Sequence, residues 1–284
     1  MAEGETMERK TYCVYAGESA MFERKVVPDG AYEQVLGMDG TRLAGCMVTE
    51  AGWYKQDCEE PEMVAFESDR VIMFLGSDRE HPNELNATIE LWIENDQLTL
   101  TQSCAVFVPA HAAHGRISVK NLTAPVAIYS VQTRTDTFDA QPAMPSKPQG
   151  TFADHAVERF EPSNGRMPNA PEGLLTLIVW IDGGRIAEAP YAEAVWFNKN
   201  SDEGPEPHTH DYGEFLSFIG TDVEHPEDLG CEVEFYIDGK PITLTQSCLL
   251  YIPAGVEHAP FYIRNMVRPI LHTSGYAGSE YQRN

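Results

Sequence analysis

The chain has 284 residues, of which 42% are hydrophobic and 10% aromatic, so it can form one large domain or two ordinary domains that each bury a core. Its formal net charge of −24 repels phosphate backbones and anionic lipid, which argues against binding to nucleic acid or to a membrane surface. No apolar stretch approaches the roughly 18 to 20 residues of a membrane-spanning helix, and the polar opening MAEGETMERK lacks the apolar core of a secretory signal, so a cytoplasmic location is expected. The six cysteines form no C-x-x-C pair, which favours reduced, buried thiols.

An internal repeat dominates the organisation of the chain. Two pairs of segments match at an offset of 144 residues: VIMFLGSDREHPNEL (71–85) with FLSFIGTDVEHPEDL (215–229), and TLTQSC (99–104) with TLTQSC (243–248). Farther upstream, MDGTRLA (38–44) matches IDGGRIA (181–187) at an offset of 143. A repeat of this length indicates a duplicated domain, because the units of solenoid arrays are much shorter.

Each copy has the pattern of antiparallel strands. In ATIELWIE (87–94), Ile89, Leu91 and Ile93 alternate onto one face, and CEVEFYID (231–238) alternates in the same way. Short apolar runs separated by Gly, Pro and Asn follow in both copies. The sequence therefore predicts an all-β fold of two tandem jelly-roll β-barrels, with one barrel over residues 1–133 and the other over 175–284.

Residues 134–174 separate the two copies and are rich in Pro, Gly and polar side chains. This composition predicts a linker that crosses over and packs against both barrels, rather than a free tether. DHAVERF (154–160) is a candidate for a short helix within it.

The stretch PEPHTHDYGEFLSFIG (205–220) carries the main candidate site. If it begins as a strand, His208 and His210 project to the same side, Glu214 shares their parity, and Tyr212 faces outward. The turn in IPAGVEH leads into a strand that carries His258, which can lie beside the first strand. Three imidazoles and one carboxylate would then converge on a metal ion; the alternative is a solvated loop with an unrelated His258.

This motif pair resembles that of the cupin superfamily, in which H-x-H is followed by Glu and a later P-x-G-x-x-H supplies another histidine. The resemblance implies a bicupin whose second barrel holds one divalent transition metal per chain (Fe, Mn, Ni, Co or Zn) through His208, His210, Glu214 and His258. The sequence departs from the pattern at Ser247, where the family usually has a glycine, which affects loop geometry more than ligation.

The first copy lacks most of these ligand types. His208, His210 and Glu214 correspond to Val64, Phe66 and Arg70, and only His114 matches its counterpart, so the first barrel is expected to have lost its metal and to be filled by apolar side chains. His111 could assist His114, but two histidines without a third ligand are more often a surface or packing feature.

Four further residues are candidates for roles at the site. Tyr262 and Arg264 continue the parity of His258 and could present a phenol and a guanidinium to a bound anion, although a structural ion pair is an equal alternative for Arg264. His272 is a candidate acid or base, and Phe197 a candidate for contact with substrate; packing in the core is the alternative for both.

The resemblance implies a metal-dependent enzyme that acts on a small oxygenated or carboxylate compound, with dioxygenase chemistry as the first choice. Lewis-acid isomerase, lyase, decarboxylase or hydrolase chemistry is the alternative within enzymes. A protein that binds a metal or small molecule without turnover is the alternative outside enzymes. The expected partner is a small-molecule substrate, and both a monomer and a homo-oligomer are compatible with the fold.

Overall fold

The computed structural model describes residues 9–133, 137–158 and 170–280, and its regular structure is almost entirely β. In chain order the strands are β1 (Cys13–Tyr15), β2 (Tyr32–Met38), β3 (Val48–Tyr54), β4 (Cys58–Ala65), β5 (Arg70–Gly76), β6 (Glu84–Ile93), β7 (Asp96–Gln102), β8 (Cys104–Val108), β9 (His114–Lys120), β10 (Val126–Gln132), β11 (Gln141–Pro142), β12 (Ala156–Val157), β13 (Leu175–Ile181), β14 (Tyr191–Phe197), β15 (Glu214–Ile219), β16 (Asp228–Ile237), β17 (Lys240–Gln246), β18 (Cys248–Ile252), β19 (His258–Arg264) and β20 (Ile270–Tyr276). A single 3₁₀ turn (Ala16–Glu18) follows β1. None of the helical segments within the described ranges is long and apolar enough to cross a membrane.

The strands form two jelly-roll barrels, which confirms the predicted fold class. Each barrel is a six-stranded sheet facing a smaller one: β12-β8-β5-β10-β3-β2 faces β11-β4-β9-β6-β7 in the first, and β1-β18-β15-β20-β14-β13 faces β17-β16-β19 in the second. The alternation read from the sequence holds, since Ile89, Leu91 and Ile93 are fully buried. The second barrel has isolated bridges, Ser201 to Ile263 and His208 to His258, where the first has β4.

The two barrels exchange their leading strands. β1 pairs with β18 of the second barrel, with Cys13 opposite Leu250, and β12 pairs with β8 of the first barrel, with Ala156 opposite Val106. Cys13 and Ala156 occupy equivalent positions of the repeat, as do Leu250 and Val106, so the exchange is reciprocal. The predicted domain boundaries do not include this exchange.

The described parts of the predicted linker pack against both barrels, as predicted. β11 pairs with β4 and Phe152 is buried in the interior of the first barrel, whereas Leu174 is buried in the interior core of the second. The predicted helix at 154–160 is wrong for its described part, because Ala156–Val157 is the strand β12; residues 159 and 160 lie outside the described residues. Pairing with the edge of β8 supplies the backbone hydrogen bonds that a helix would otherwise have supplied.

The six-stranded sheets of the two barrels pack back to back. One continuous core between them contains Trp53 of the first barrel and Trp196 of the second, each 1% exposed, and Tyr129 stacks on Phe215 with ring centroids 5.9 Å apart. Each barrel also has its own interior core. All six cysteines are buried free thiols, as predicted.

Candidate metal centre

Four side chains converge at one end of the second barrel. His208, His210, Glu214 and His258 each offer one ligand atom, and these atoms all lie within 4.8 Å of one another. Glu214 Oε2 lies 3.0 Å from His258 Nε2 and 3.6 Å from His210 Nε2. His210, Glu214 and His258 are buried, whereas His208 is partly exposed, so the cluster sits at the rim of the barrel interior.

Backbone hydrogen bonds hold the two motif segments together. His208 and His258 exchange N–H···O bonds of 3.1 and 3.0 Å, and the Gly255 N–H donates to the His210 carbonyl at 2.8 Å. Gly255 has φ +78°, a left-handed conformation that favours glycine, at the turn that leads into β19. The Pro-Ala-Gly turn therefore fixes the position of His210 as well as that of His258.

Hydrogen bonds to backbone carbonyls orient two of the imidazoles. His208 Nδ1 donates to the Glu206 carbonyl at 2.7 Å, and His258 Nδ1 donates to the Val256 carbonyl at 3.1 Å. Each bond directs the other ring nitrogen toward the centre of the cluster, as is usual for histidine ligands of metals. Ligands bound at about 2.0–2.3 Å from an ion lie roughly 3 to 4.5 Å apart, so this donor set fits a divalent transition metal.

Glu214 is ionised in this environment. Burial opposes the charged form, but the interactions with the adjacent His210 and His258 imidazoles outweigh it and lower the pKa of the carboxyl to about 2. The side chain is therefore a carboxylate at neutral pH, which is the form that binds metals.

Tyr212 faces the site, contrary to the prediction that it points outward. Its ring stacks on His210, with centroids 4.7 Å apart and planes at 9°, and on Tyr276 at 3.6 Å. The outward prediction was wrong because position 212 shares the parity of positions 208, 210 and 214, so alternation would already place Tyr212 on their side. The stack limits rotation of the His210 ring.

His272 and Phe197 lie deeper in the interior of the second barrel. The His272 ring contacts Phe197, Phe218 and Phe261, with centroids 4.7 to 5.9 Å away, and its Nδ1 donates to the Ser217 carbonyl at 2.7 Å. Burial lowers its pKa to about 4, so the imidazole is neutral at pH 7 and Nε2 is an acceptor. Their predicted roles as acid or base and in substrate contact stay predictions.

Tyr262 and Arg264 do not face the site, which corrects the prediction made from parity. Ile237 pairs with His258 but Phe235 pairs with Phe261, so β19 has one extra residue between these positions. Such a bulge reverses the alternation beyond it. Arg264 is instead a surface residue that donates to Asp202 at 3.1 Å and to Glu234 at 3.2 Å.

The first barrel has a charged group where the second has a ligand. Arg70, equivalent to Glu214, donates from Nη1 to His114 Nε2 at 3.1 Å, and Glu50 is buried beside it. The predicted apolar interior holds for the core of the first barrel but is wrong at the end equivalent to the metal cluster, where charged side chains are buried. His111 is exposed at 68% of its side chain, and its ring lies 3.8 Å from Glu67, as expected of a surface residue.

Glu193 is an interior acidic residue that sequence reasoning missed. It alternates with Val195 and Phe197, which belong to the interior core of the second barrel, and it accepts a hydrogen bond from Ser274 Oγ at 3.2 Å. The repeat could have identified Glu193 as a candidate, because a glutamate, Glu50, occupies the equivalent position in the first copy.

Sequence comparison finds no matching protein-family model and no matching curated protein. Solved structures match in fold. A deletion variant of Bacillus subtilis oxalate decarboxylase has a TM-score of 0.61 at 9% identity, covering 96% of this chain and 78% of that chain. A Pseudomonas aeruginosa protein named for induction by glyoxylate has a TM-score of 0.55 at 9% identity, covering 97% of this chain and 92% of that chain. E. coli YlbA has a TM-score of 0.50 at 9% identity, covering 96% of this chain and 94% of that chain. At these identities the likeness establishes a shared cupin-type fold.

Proposed function

We propose that the chain is a metal-dependent enzyme that acts on a small oxygenated or carboxylate compound in its second barrel. The convergence of His208, His210, Glu214 and His258 carries this proposal. A divalent ion held by these four groups supplies a Lewis acid with coordination positions left for substrate oxygen. The Mn(II) centres of Bacillus subtilis oxalate decarboxylase support a divalent ion in a barrel of this fold.

The surrounding side chains suit chemistry that is shielded from bulk water. Phe197, Phe218 and Phe261 wall the interior around His272, and a water-poor site strengthens electrostatic interactions. The Nε2 of the neutral His272 can accept a hydrogen bond from a substrate that reaches this depth. Arg264 donates to Asp202 at the surface, so it does not balance the negative charge of a substrate carboxylate at the cluster.

Oxidative cleavage is the first candidate reaction, and decarboxylation is the second. The family resemblance of the motifs favours a dioxygenase, whereas the shared fold with an oxalate decarboxylase favours non-oxidative release of CO₂. The two reactions differ in their stoichiometry, so an experiment separates them without knowledge of the mechanism.

The first test measures metal per chain in protein purified without chelators and without oxygen. We expect close to one equivalent of one transition metal in the wild type, and loss of at least tenfold in metal affinity for His208→Ala and His258→Ala. His114→Gln, at the position equivalent to His258, is the matched control and should retain the metal. Equal metal content in all four proteins would contradict the site.

The second test assays turnover of the loaded protein on catechols, hydroxybenzoates, β-diketones and 2-oxo acids, together with simple dicarboxylates. Oxygen consumption in proportion to substrate loss supports a dioxygenase, and CO₂ release without net oxygen consumption supports a decarboxylase. Full metal occupancy with no turnover of any compound would favour a binding protein over an enzyme.

A further inference from the structure

The first barrel contains a cavity that the metal centre does not account for. Its volume is about 80 Å³, which is room for several waters or one small organic molecule. Phe66 and Ile128 contribute apolar walls, and Glu50 and Arg70 contribute polar ones. Arg24 lines both this cavity and a larger cleft at the surface, which places the cavity next to solvent.

Glu50 presents an unused acceptor to this cavity. The residue is 2% exposed, and its Oε1 accepts hydrogen bonds from Tyr32 at 2.7 Å and from Arg24 at 3.2 Å. Its Oε2 is buried and makes no hydrogen bond with any of the described residues. A buried carboxylate oxygen without a donor costs free energy, so its retention needs an explanation.

Arg70 presents an unused donor next to it. Nε donates to Ser130 Oγ at 2.6 Å and Nη1 donates to His114 Nε2, while Nη2 lies 3.8 Å from Glu50 Oε2, which is too far for a hydrogen bond. The cavity therefore offers one charged acceptor and one charged donor that form a long ion pair without a hydrogen bond between them.

We propose that the first barrel holds a metal-independent binding site for a small amide. The carbonyl oxygen of the amide accepts a hydrogen bond from Arg70 Nη2. The N–H of the amide nitrogen, which is bonded to the same carbonyl carbon, donates to Glu50 Oε2. The separation of the two protein atoms, 3.8 Å, is compatible with the two edge atoms of one amide group.

The charges of the cavity favour a neutral ligand over a carboxylate. Its lining includes three basic side chains and four carboxylates, and Arg24 is already bonded to Glu60 at 2.8 Å. A ligand carboxylate that bonded to Arg70 would place its second oxygen against Glu50 Oε2 without a proton between them. The presence of Arg70 beside His114 also repels a divalent cation from this barrel.

The test compares three probes of the same size, namely acetamide, acetate and acetone, by ligand-observed NMR titration of the full chain. We expect saturable, weak binding of acetamide to the wild type, and at least tenfold weaker binding of acetone, which lacks the N–H. Equal affinities for acetamide and acetone would overturn the proposal, as would no saturable binding of acetamide.

Glu50→Gln reverses the expected preference. The new amide oxygen accepts from Arg24 and Tyr32, so the new –NH₂ stands where Oε2 was; it repels a ligand N–H but donates to a ligand carboxylate oxygen. We expect acetamide to bind at least tenfold more weakly and acetate at least tenfold more tightly than to the wild type. An unchanged preference would overturn the proposal.

Glu62→Gln is the matched control for this variant. It removes the same charge from the cavity lining, but the side chain is 63% exposed and bonds neither Arg70 nor Glu50, so both affinities should stay at the wild-type values. An equal effect of Glu62→Gln and Glu50→Gln would assign the change to net charge and overturn the proposal. If Glu50→Gln does not fold, the comparison of acetamide with acetone on the wild type decides alone.

Discussion

At the scale of single residues, burial decides the state of His272 more than any charged partner does. The ring lies among three phenylalanines and donates one hydrogen bond to a backbone carbonyl, and burial lowers its pKa to about 4. In the unfolded chain the pKa returns to about 6.5. Its neutral form in the fold therefore makes folding sensitive to acid.

The sign of this effect follows from the lowered pKa. At pH 7 His272 is mostly neutral in both the folded and the unfolded chain, so it lowers the unfolding free energy little. Between pH 6.5 and 4 the unfolded chain takes up a proton on His272 that the folded chain does not. We expect His272→Gln to reduce the loss of unfolding free energy between pH 7 and pH 5.5 by about 1 kcal/mol. This range stays above the isoelectric point of about 4.6.

The measurement is urea unfolding of metal-free protein at both pH values, because a bound metal would add its own pH dependence. His225→Gln, at an exposed histidine, is the control and should keep the wild-type slope. A His272→Gln protein with the wild-type slope would show that His272 is not buried in its neutral form.

At the scale of elements, the repeat explains a departure that looked unfavourable in the sequence. Ser247 replaces the glycine expected before the second motif. Its buried Oγ accepts from the Gly220 N–H at 2.8 Å and donates to the Pro226 carbonyl at 2.6 Å, and Ser103 makes the same pair of bonds to Gly76 and Pro82 at 2.9 and 2.8 Å. The serine thus ties β15 to the turn before β16 in one copy, and its twin ties β5 to the turn before β6.

Ser247→Ala should lower the unfolding free energy by about 1–3 kcal/mol, because it leaves a buried N–H and a buried carbonyl without partners. Ser103→Ala should have a similar cost in the first barrel. Chemical unfolding of both variants beside Thr245→Ala, an exposed neighbour, checks this. The bridging role would be contradicted if Ser247→Ala lowered the unfolding free energy no more than Thr245→Ala does.

Spacing predicted strands and candidate ligands well, but it failed where strands are irregular. The side chains of Ile89, Leu91 and Ile93 are buried, and β6 pairs with β7 over them without a register shift. Arg264 lies beyond a one-residue bulge of β19, and such a bulge has no signal in a period of two. Side-chain direction is therefore predictable only within an uninterrupted ladder.

At the scale of the whole molecule, the sequence predicted two barrels but not how they join. The repeat offset revealed the duplication directly, because it needs only two segments to be compared. One half of the strand exchange depends on two described residues of a Pro- and Gly-rich segment, Ala156 and Val157, which are too few to show a strand pattern. Their pairing with β8 is a long-range contact, and local propensity does not encode such a contact.

The shared core between the barrels predicts that they unfold as one unit. Trp53 and Trp196 lie in the same buried cluster, and each barrel holds a strand of the other, so neither barrel can open without exposing apolar surface of its neighbour. Trp53→Ala in the first barrel should lower the unfolding free energy by about 3–5 kcal/mol and shift the unfolding of the second barrel with it.

Calorimetry with parallel detection of metal release from the second barrel checks this coupling. The wild type should show one transition in which both signals coincide, and Trp53→Ala should move both together. Trp92→Ala, which removes a half-buried tryptophan of β6 outside the shared core, should lower the unfolding free energy less than Trp53→Ala does. The coupling would be contradicted by two resolved unfolding transitions of which Trp53→Ala shifts only that of the first barrel. The loss of the indole would then destabilise only the barrel that carries it, so the barrels would unfold independently.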